Sequence, residues 1–268
     1  MFEQFKSSMK REFDMSDLGR MKYFLGVEVV QSSAGIFISQ KKYANDVLER
    51  FGMEWCNPVK NPIVPGCRLV KDEGGIRVDA TAYKQMVGSL MYLNATAYKQ
   101  MVGSLMYLTA TRLDLMYVVS LISRFMEAPT ELHQQAVKRI FRYLKGTAEM
   151  GIFYKRGGEE SLVTFSDSDY VGDLGDRKST SGYMFKLSSG AVAWSSKKQP
   201  VVTLSTTEAE FIAATSCACQ SVWMQRILGK LGLNQNQLAD IMTKPLKLEA
   251  FLKMREQLGV CDVQKGVD

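Results

Sequence analysis

The hydrophobic spacing of this chain changes period along its length, and that change bounds its fold. From Lys41 to Leu144 apolar residues recur at helical intervals, from Gly151 to Lys198 they follow strand patterns, and helical spacing returns after Ser205. Such a succession belongs to an α+β or α/β fold, with helices and sheet covering one another. The change near residue 150 divides the chain into two expected units, residues 1–150 and 151–268. A length of 268 residues is enough for one large or two ordinary domains, and a 46% hydrophobic content supports a packed core.

Local signals fill in the first unit. Tyr23 to Val30 and Ile36 to Ser39 read as a hairpin turned by SSAG. KKYANDVLERFGM places Tyr43, Val47, Leu48 and Phe51 on one helical side and stops at Gly52. CNPVKNPIVPG holds three of the six prolines and reads as an extended strap. Residues 80–93, ATAYKQMVGSLMYL, then recur unchanged as residues 95–108. Each copy has helical spacing, as in Tyr83, Met86, Val87, Leu90 and Met91, but the offset of 15 turns the second stripe about 60° from the first. Two copies do not make a solenoid. LDLMYVVSLISRFM is apolar nearly all round and reads as a buried helix. The helix after Thr130 has a core face of Val137, Ile140, Phe141 and Leu144, and a basic face of Lys138, Arg139, Arg142 and Lys145 that suits either solvent or phosphate.

Composition excludes several classes. Five cysteines without a CxxC pair fit free thiols in a reducing setting, and a lone histidine, His133, argues against a zinc site. No apolar run reaches the length of a membrane span, and the N-terminal stretch has no signal-like apolar region. An intracellular location, cytoplasm or nucleus, is the expectation. A net charge of +6 permits a nucleic acid partner without demanding one.

In the second unit, GIFYKR, SLVTFSD, SGYMFKLSSG and AVAWSSKKQPVVTLS read as strand material with a turn at 188–190. LVTFSDSDYVGD runs an apolar strand into Asp167, Asp169 and Asp173. Aspartates at a strand end suit either a polar turn or a divalent-metal site. Ser205 and Glu208 form an S-x-x-E cap for the last long helix, leaving Glu210 without a capping duty. Glu210 is placed on a face with Ala213, Ala214 and Cys217, aimed at a strand end.

These segments, together with YFLGVEV, VGSLMYLTATRLDLMY, RYLKGT, DRKSTSGYMF and LADIMTKPL, resemble the C-terminal part of the Pol polyprotein of copia-type LTR retrotransposons. The resemblance implies a reverse transcriptase remnant with thumb/connection-like helices, followed by an incomplete ribonuclease H-like mixed sheet with helices. It places the Tyr23–Ser39 hairpin where a primer grip would sit. It implies an RNA/DNA hybrid as partner and a Mg2+ pair as cofactor, held by clustered carboxylates. Asp167, Glu210 and Asp240 match three of the four carboxylates, as catalytic and metal-binding residues, whereas Asp169 and Asp173 read as turn and surface residues. The basic helix face and the DRKSTSG loop, through Arg177, Lys178, Ser179 and Thr180, supply the implied phosphate contacts.

The departures carry equal weight. LGLNQNQLAD closes directly over a segment that in the family holds the third carboxylate, two strands and a helix, and the polymerase aspartates have no counterpart here. The resulting expectation is a degenerate Pol-derived protein that contacts nucleic acid with impaired catalysis. An active hybrid-specific ribonuclease and a non-enzymatic interaction protein are its alternatives.

Overall fold

The computed structural model describes residues 7, 10–12, 19–71, 74–76, 95–157, 161–230, 248 and 252. The first copy of the repeat, at 80–93, and Asp240 lie outside the described residues. Within them the chain is a mixed arrangement of two antiparallel sheets and helices.

The first sheet has the order β1 (Tyr23–Phe24), β2 (Val27–Gln31), β3 (Gly35–Ser39), β4 (Gly151–Lys155), with every pairing antiparallel. The single strand expected from Tyr23 to Val30 is broken in two. Leu25 and Gly26 both have positive φ, 45° and 75°, the conformation of a tight two-residue hairpin turn. A Cβ on Gly26 would lie 3.1 Å from the Tyr107 ring, so the missing side chain lets that ring approach. Tyr107 Oη donates to the Leu25 carbonyl, which ties the turn to the helical layer. β4 is the far strand of this sheet, so the chain leaves the first sheet after Lys155.

The core is helical: α1 (Lys41–Arg50), α2 (Ala95–Leu108), α3 (Met116–Ser123, entered through a 3-10 turn at Leu113–Leu115) and α4 (Glu131–Gly146). The second copy of the repeat is α2 itself. Its Tyr98, Met101, Val102, Leu105 and Leu108 are fully buried, and Tyr98 Oη donates to the Ile122 carbonyl at 2.8 Å. The stripe ends on Leu108 while Met106 turns outward, because α2 is covered by α1, α3 and α4 on one side only. Val137, Ile140, Phe141 and Leu144 of α4 are buried as their spacing predicts. The lone histidine serves this core. His133 Nδ1 accepts the Thr130 N–H at 3.0 Å in a capping box, its ring stacks on Phe125 at 4.0 Å, and Nε2 meets the Val70 carbonyl at 2.9 Å.

The second sheet is the meander β5 (Leu162–Ser168), β6 (Thr180–Leu187), β7 (Gly190–Lys198). All its described pairings are antiparallel, where a mixed sheet was expected; a two-residue turn at Ser188–Ser189 joins β6 to β7 and leaves no room for the crossover a parallel pair needs. α5 (Thr206–Lys230) packs on β5 and β6. Ser205 Oγ accepts the Glu208 N–H at 3.1 Å and the Glu208 carboxylate accepts the Leu204 N–H at 2.7 Å, so Glu208 has the expected capping duty. β5 is an edge strand, and Val163 to Asp167 are exposed. No helix among the described residues is long and apolar enough to cross a membrane.

Candidate functional site

Strand alternation decides what Asp167 can meet. Successive side chains point to opposite faces of a sheet, so Ser168 and Asp167 face opposite ways. The Gln199 amide donates to Ser168 Oγ at 3.1 Å, to Ser181 Oγ at 2.8 Å and to the Ala209 carbonyl of α5 at 2.9 Å. Ser168 and its cross-strand partner Ser181 therefore mark the face that α5 covers. Asp167, with Phe165, belongs to the other face. The register continues this face across the sheet in two rows, Phe165–Met184–Trp194 and Asp167–Gly182–Ser196.

That face and the start of α3 enclose a cleft of about 500 Å³, roofed by Leu113, Met116 and Tyr117. Trp194 Nε1 donates to the Thr109 carbonyl at 3.0 Å, which fixes the indole at the junction. Asp167 and Asp169 both line the cleft. The Asp169 carboxylate is engaged, accepting the Thr180 N–H as a turn aspartate would. Asp167 has no hydrogen-bond or ion-pair partner among the described residues.

Glu210 lies on α5, across the sheet from this cleft. The stripe that packs on β5 and β6 runs through Ala209, Ala213 and Cys217; Ala214 and Glu210 are exposed. The expected packing face is thus rotated by one residue, because the small side chain at 209 gives closer helix–sheet approach than a glutamate would. A magnesium pair needs several carboxylates sharing two cations. The described residues do not fit it: Asp167 shares its cleft only with Asp169, one oxygen of which accepts the Thr180 N–H, α5 is on the other face, and no group of three His, Cys, Asp or Glu residues could hold a metal ion.

Asp173 is a structural node rather than the expected surface residue. Its Oδ2 receives Arg124 Nη1 at 3.3 Å and Lys198 Nζ at 2.9 Å, and its Oδ1 receives the Gly175 N–H at 2.9 Å. Burial pushes its pKa up, but Lys198 and the backbone donors outweigh that and hold it at about 2. Arg124 also donates to Thr180 Oγ1 at 2.9 Å, so the end of α3 is tied to the second sheet. Nothing in the spacing of Arg124 and Asp173, 49 residues apart, signals this link.

The cationic candidates divide in two. Arg139 Nη2 donates to Asn61 Oδ1 and Arg142 Nε donates to the Asn57 carbonyl at 2.7 Å, so both hold the proline-rich strap against α4. Ser179 is fully buried, accepting the Val171 N–H and meeting Thr203 Oγ1, and Thr180 is occupied by Arg124. Arg139 and Arg142 each commit one guanidinium nitrogen to the strap, while the Ser179 and Thr180 hydroxyls are engaged inside the fold. Lys138, Lys145, Arg177 and Lys178 have side chains without a partner among the described residues.

Residues 1–65 match the family described as reverse transcriptase (RNA-dependent DNA polymerase). The chain is 38% identical over 246 residues to the retrovirus-related Pol polyprotein from transposon TNT 1-94 of Nicotiana tabacum, covering 88% of this chain and 17% of that protein. It is also 38% identical to the Pol polyprotein from transposon RE1 of Arabidopsis thaliana, covering 84% of this chain and 14% of that protein. An uncharacterized mitochondrial protein of Arabidopsis thaliana is 33% identical over 79% of this chain and 81% of its own length. The chain thus spans less than a fifth of the polyproteins it matches. No solved structure matches it. With these relatives matching most of its length, the chain belongs to the Pol polyprotein family of copia-type retrotransposons.

Proposed function

We propose that this Pol-derived chain is a reverse transcriptase/ribonuclease H-derived protein that contacts nucleic acid and does not cleave RNA/DNA hybrids. In this reading residues 1–150 are the reverse transcriptase remnant, with its thumb/connection-like helices, and the β5–β7 meander with α5 is a truncated ribonuclease H-like unit. One observation carries the reading: Asp167 and the helix bearing Glu210 lie on opposite faces of the second sheet. Two carboxylates so divided do not share a magnesium pair, whose charge needs common ligands. Asp240 lies outside the described residues.

Contact with nucleic acid rests on Lys138, Lys145, Arg177 and Lys178, whose side chains have no partner among the described residues. Cations of this kind meet phosphates and carry little sequence information. Binding to an RNA/DNA hybrid should therefore depend steeply on salt and little on sequence. Fluorescence polarisation across a salt series tests this, and replacing the four cations by Ala should flatten the slope of log K against log salt by about 4. Cleavage is tested on the same hybrid with magnesium, and none above background is expected. Robust cleavage abolished by Asp167→Asn or Glu210→Gln overturns the reading in favour of an active nuclease.

A further inference from the structure

The disagreement between Asp167 and a metal pair raises the question of what its cleft does suit. We propose that the cleft is a site for an organic cation of the trimethylammonium type. Its lining carries two aspartates, Asp167 and the backbone-bonded Asp169, and the aromatic residues Tyr117, Phe165, Tyr183 and Trp194, with no Lys, Arg or His. The register fixes the arrangement. Phe165 and Trp194 stand on one row of the sheet with Met184 between them, and Asp167 stands two residues beyond Phe165, on the next row. Strands lie about 4.8 Å apart, so Phe165 and Trp194 stand about 10 Å from one another, flanking a space over Met184 in which a trimethylammonium group can sit between the two rings. Tyr117 closes the cleft from α3. Phe165 and Tyr117 are half exposed, so their rings are open to a ligand.

The floor of the cleft is open for a stated reason. Gly182 lies between Asp167 and Ser196, and a Cβ built there meets only the Ser195 carbonyl, at 3.7 Å. The absence of a side chain leaves a recess beside the carboxylate. Aromatic faces attract a cation through their quadrupole, most strongly indole, and a quaternary ammonium is held this way because it cannot donate a hydrogen bond. Magnesium, by contrast, demands several oxygen ligands in octahedral order, and this cleft offers two aspartates, one of them already accepting a backbone N–H. Phosphates are disfavoured by the same carboxylate, so the cation site is separate from the nucleic acid contacts proposed above. Its test is correspondingly independent of hybrid binding and cleavage.

Calorimetry on the full chain decides the matter with choline and its neutral carbon isostere 3,3-dimethyl-1-butanol. The expected result is choline binding at least about fivefold tighter than the isostere, the factor that one cation–π contact supplies. Asp167→Asn and Trp194→Leu should each weaken choline by a similar factor. Because Trp194 also bonds Thr109, Gly182→Val serves as the second variant: it fills the recess, leaves every aromatic in place and should abolish binding while circular dichroism stays native. A trimethyllysine peptide and its unmodified lysine counterpart distinguish a peptide-borne group from a free small molecule; either source supports the site if methylation raises affinity. Equal affinity for choline and the isostere, or choline binding unchanged by Gly182→Val, overturns the proposal.

Discussion

Residues 95–146 and residues 162–230 each set helices against neighbouring elements, yet they close very differently. In the first region α2, α3 and α4 bury Leu105, Val137, Phe141 and Leu144 completely. In the second, α5 buries only Ala209, Ala213, Cys217 and Leu228 over its 25 residues, while Phe211 and Trp223 remain 68% and 54% exposed. A helix covered on several sides returns the full value of its apolar residues, whereas one covered by a single sheet face leaves half its stripe in water. Stability should therefore reside in the helical core, and the second sheet should depend on what ties it there.

The largest expected effect tests that difference directly. Phe141→Ala should cost about 3–5 kcal/mol, because it empties a closed core, and Phe211→Ala should change stability by less than about 0.5 kcal/mol. Urea unfolding of the two variants measures both. Comparable losses would mean that the outer face of α5 is covered and would erase the contrast.

The next effect lies at the tie. Arg124 joins the end of α3 to Asp173 and Thr180, and its Nε is buried without a partner among the described residues. Arg124→Ala should cost about 1–3 kcal/mol, the usual loss when buried polar partners are stranded. It should also raise hydrogen exchange in β6 more than in α2, since only β6 loses a contact. Equal exchange in both elements would show that the two regions do not open separately.

A smaller, pH-dependent effect follows from Asp173. Its pKa is depressed in the folded state to about 2, so the folded form binds the proton less readily than the unfolded form does. That stability is present in full above the ordinary carboxylate range and is lost as pH falls from there through about 2. Asp173→Asn should lower stability at neutral pH and flatten its acid dependence in that window. A variant with the same acid slope as the parent would assign the titration to another group.

How much of this was legible in the sequence varies by the range of the interaction. Helix stripes such as Val137, Ile140, Phe141 and Leu144, and the Ser205–Glu208 cap, were readable because they depend on residues a few positions apart. The break at Leu25–Gly26 was obscured by the apolar run through Leu25, a residue seldom found at positive φ. The occupation of Arg139 and Arg142 by Asn61 and Asn57 was hidden, since charge spacing on a helix does not reveal a strap folded over it. The face on which Asp167 points was derivable only once α5 had been placed on one side of the sheet. Alternation gives two faces and does not say which one a distant helix will cover.

The smallest expected effect concerns the repeat, whose second copy is α2 of the better-packed region. Deleting residues 80–94 and deleting residues 94–108 yield the same polypeptide, because both join Asp79 to a single ATAYKQMVGSLMYL followed by Thr109. The shortened chain therefore keeps every side chain that α2 contributes to the core, including the counterparts of Tyr98, Met101, Val102 and Leu105. What changes is the number of residues between Ile76 and α2. Loop entropy varies slowly with length, by about 0.6 kcal/mol per doubling, so a shorter connection stabilises slightly or leaves stability level. The phase conflict of about 60° between consecutive copies also disappears. Thermal and urea unfolding of the shortened protein should match the parent or exceed it by a few tenths of a kcal/mol. A loss of more than about 2 kcal/mol, the scale of an emptied core position, would show that the first copy packs into the core as well. The helical region would then owe its closure to the duplication.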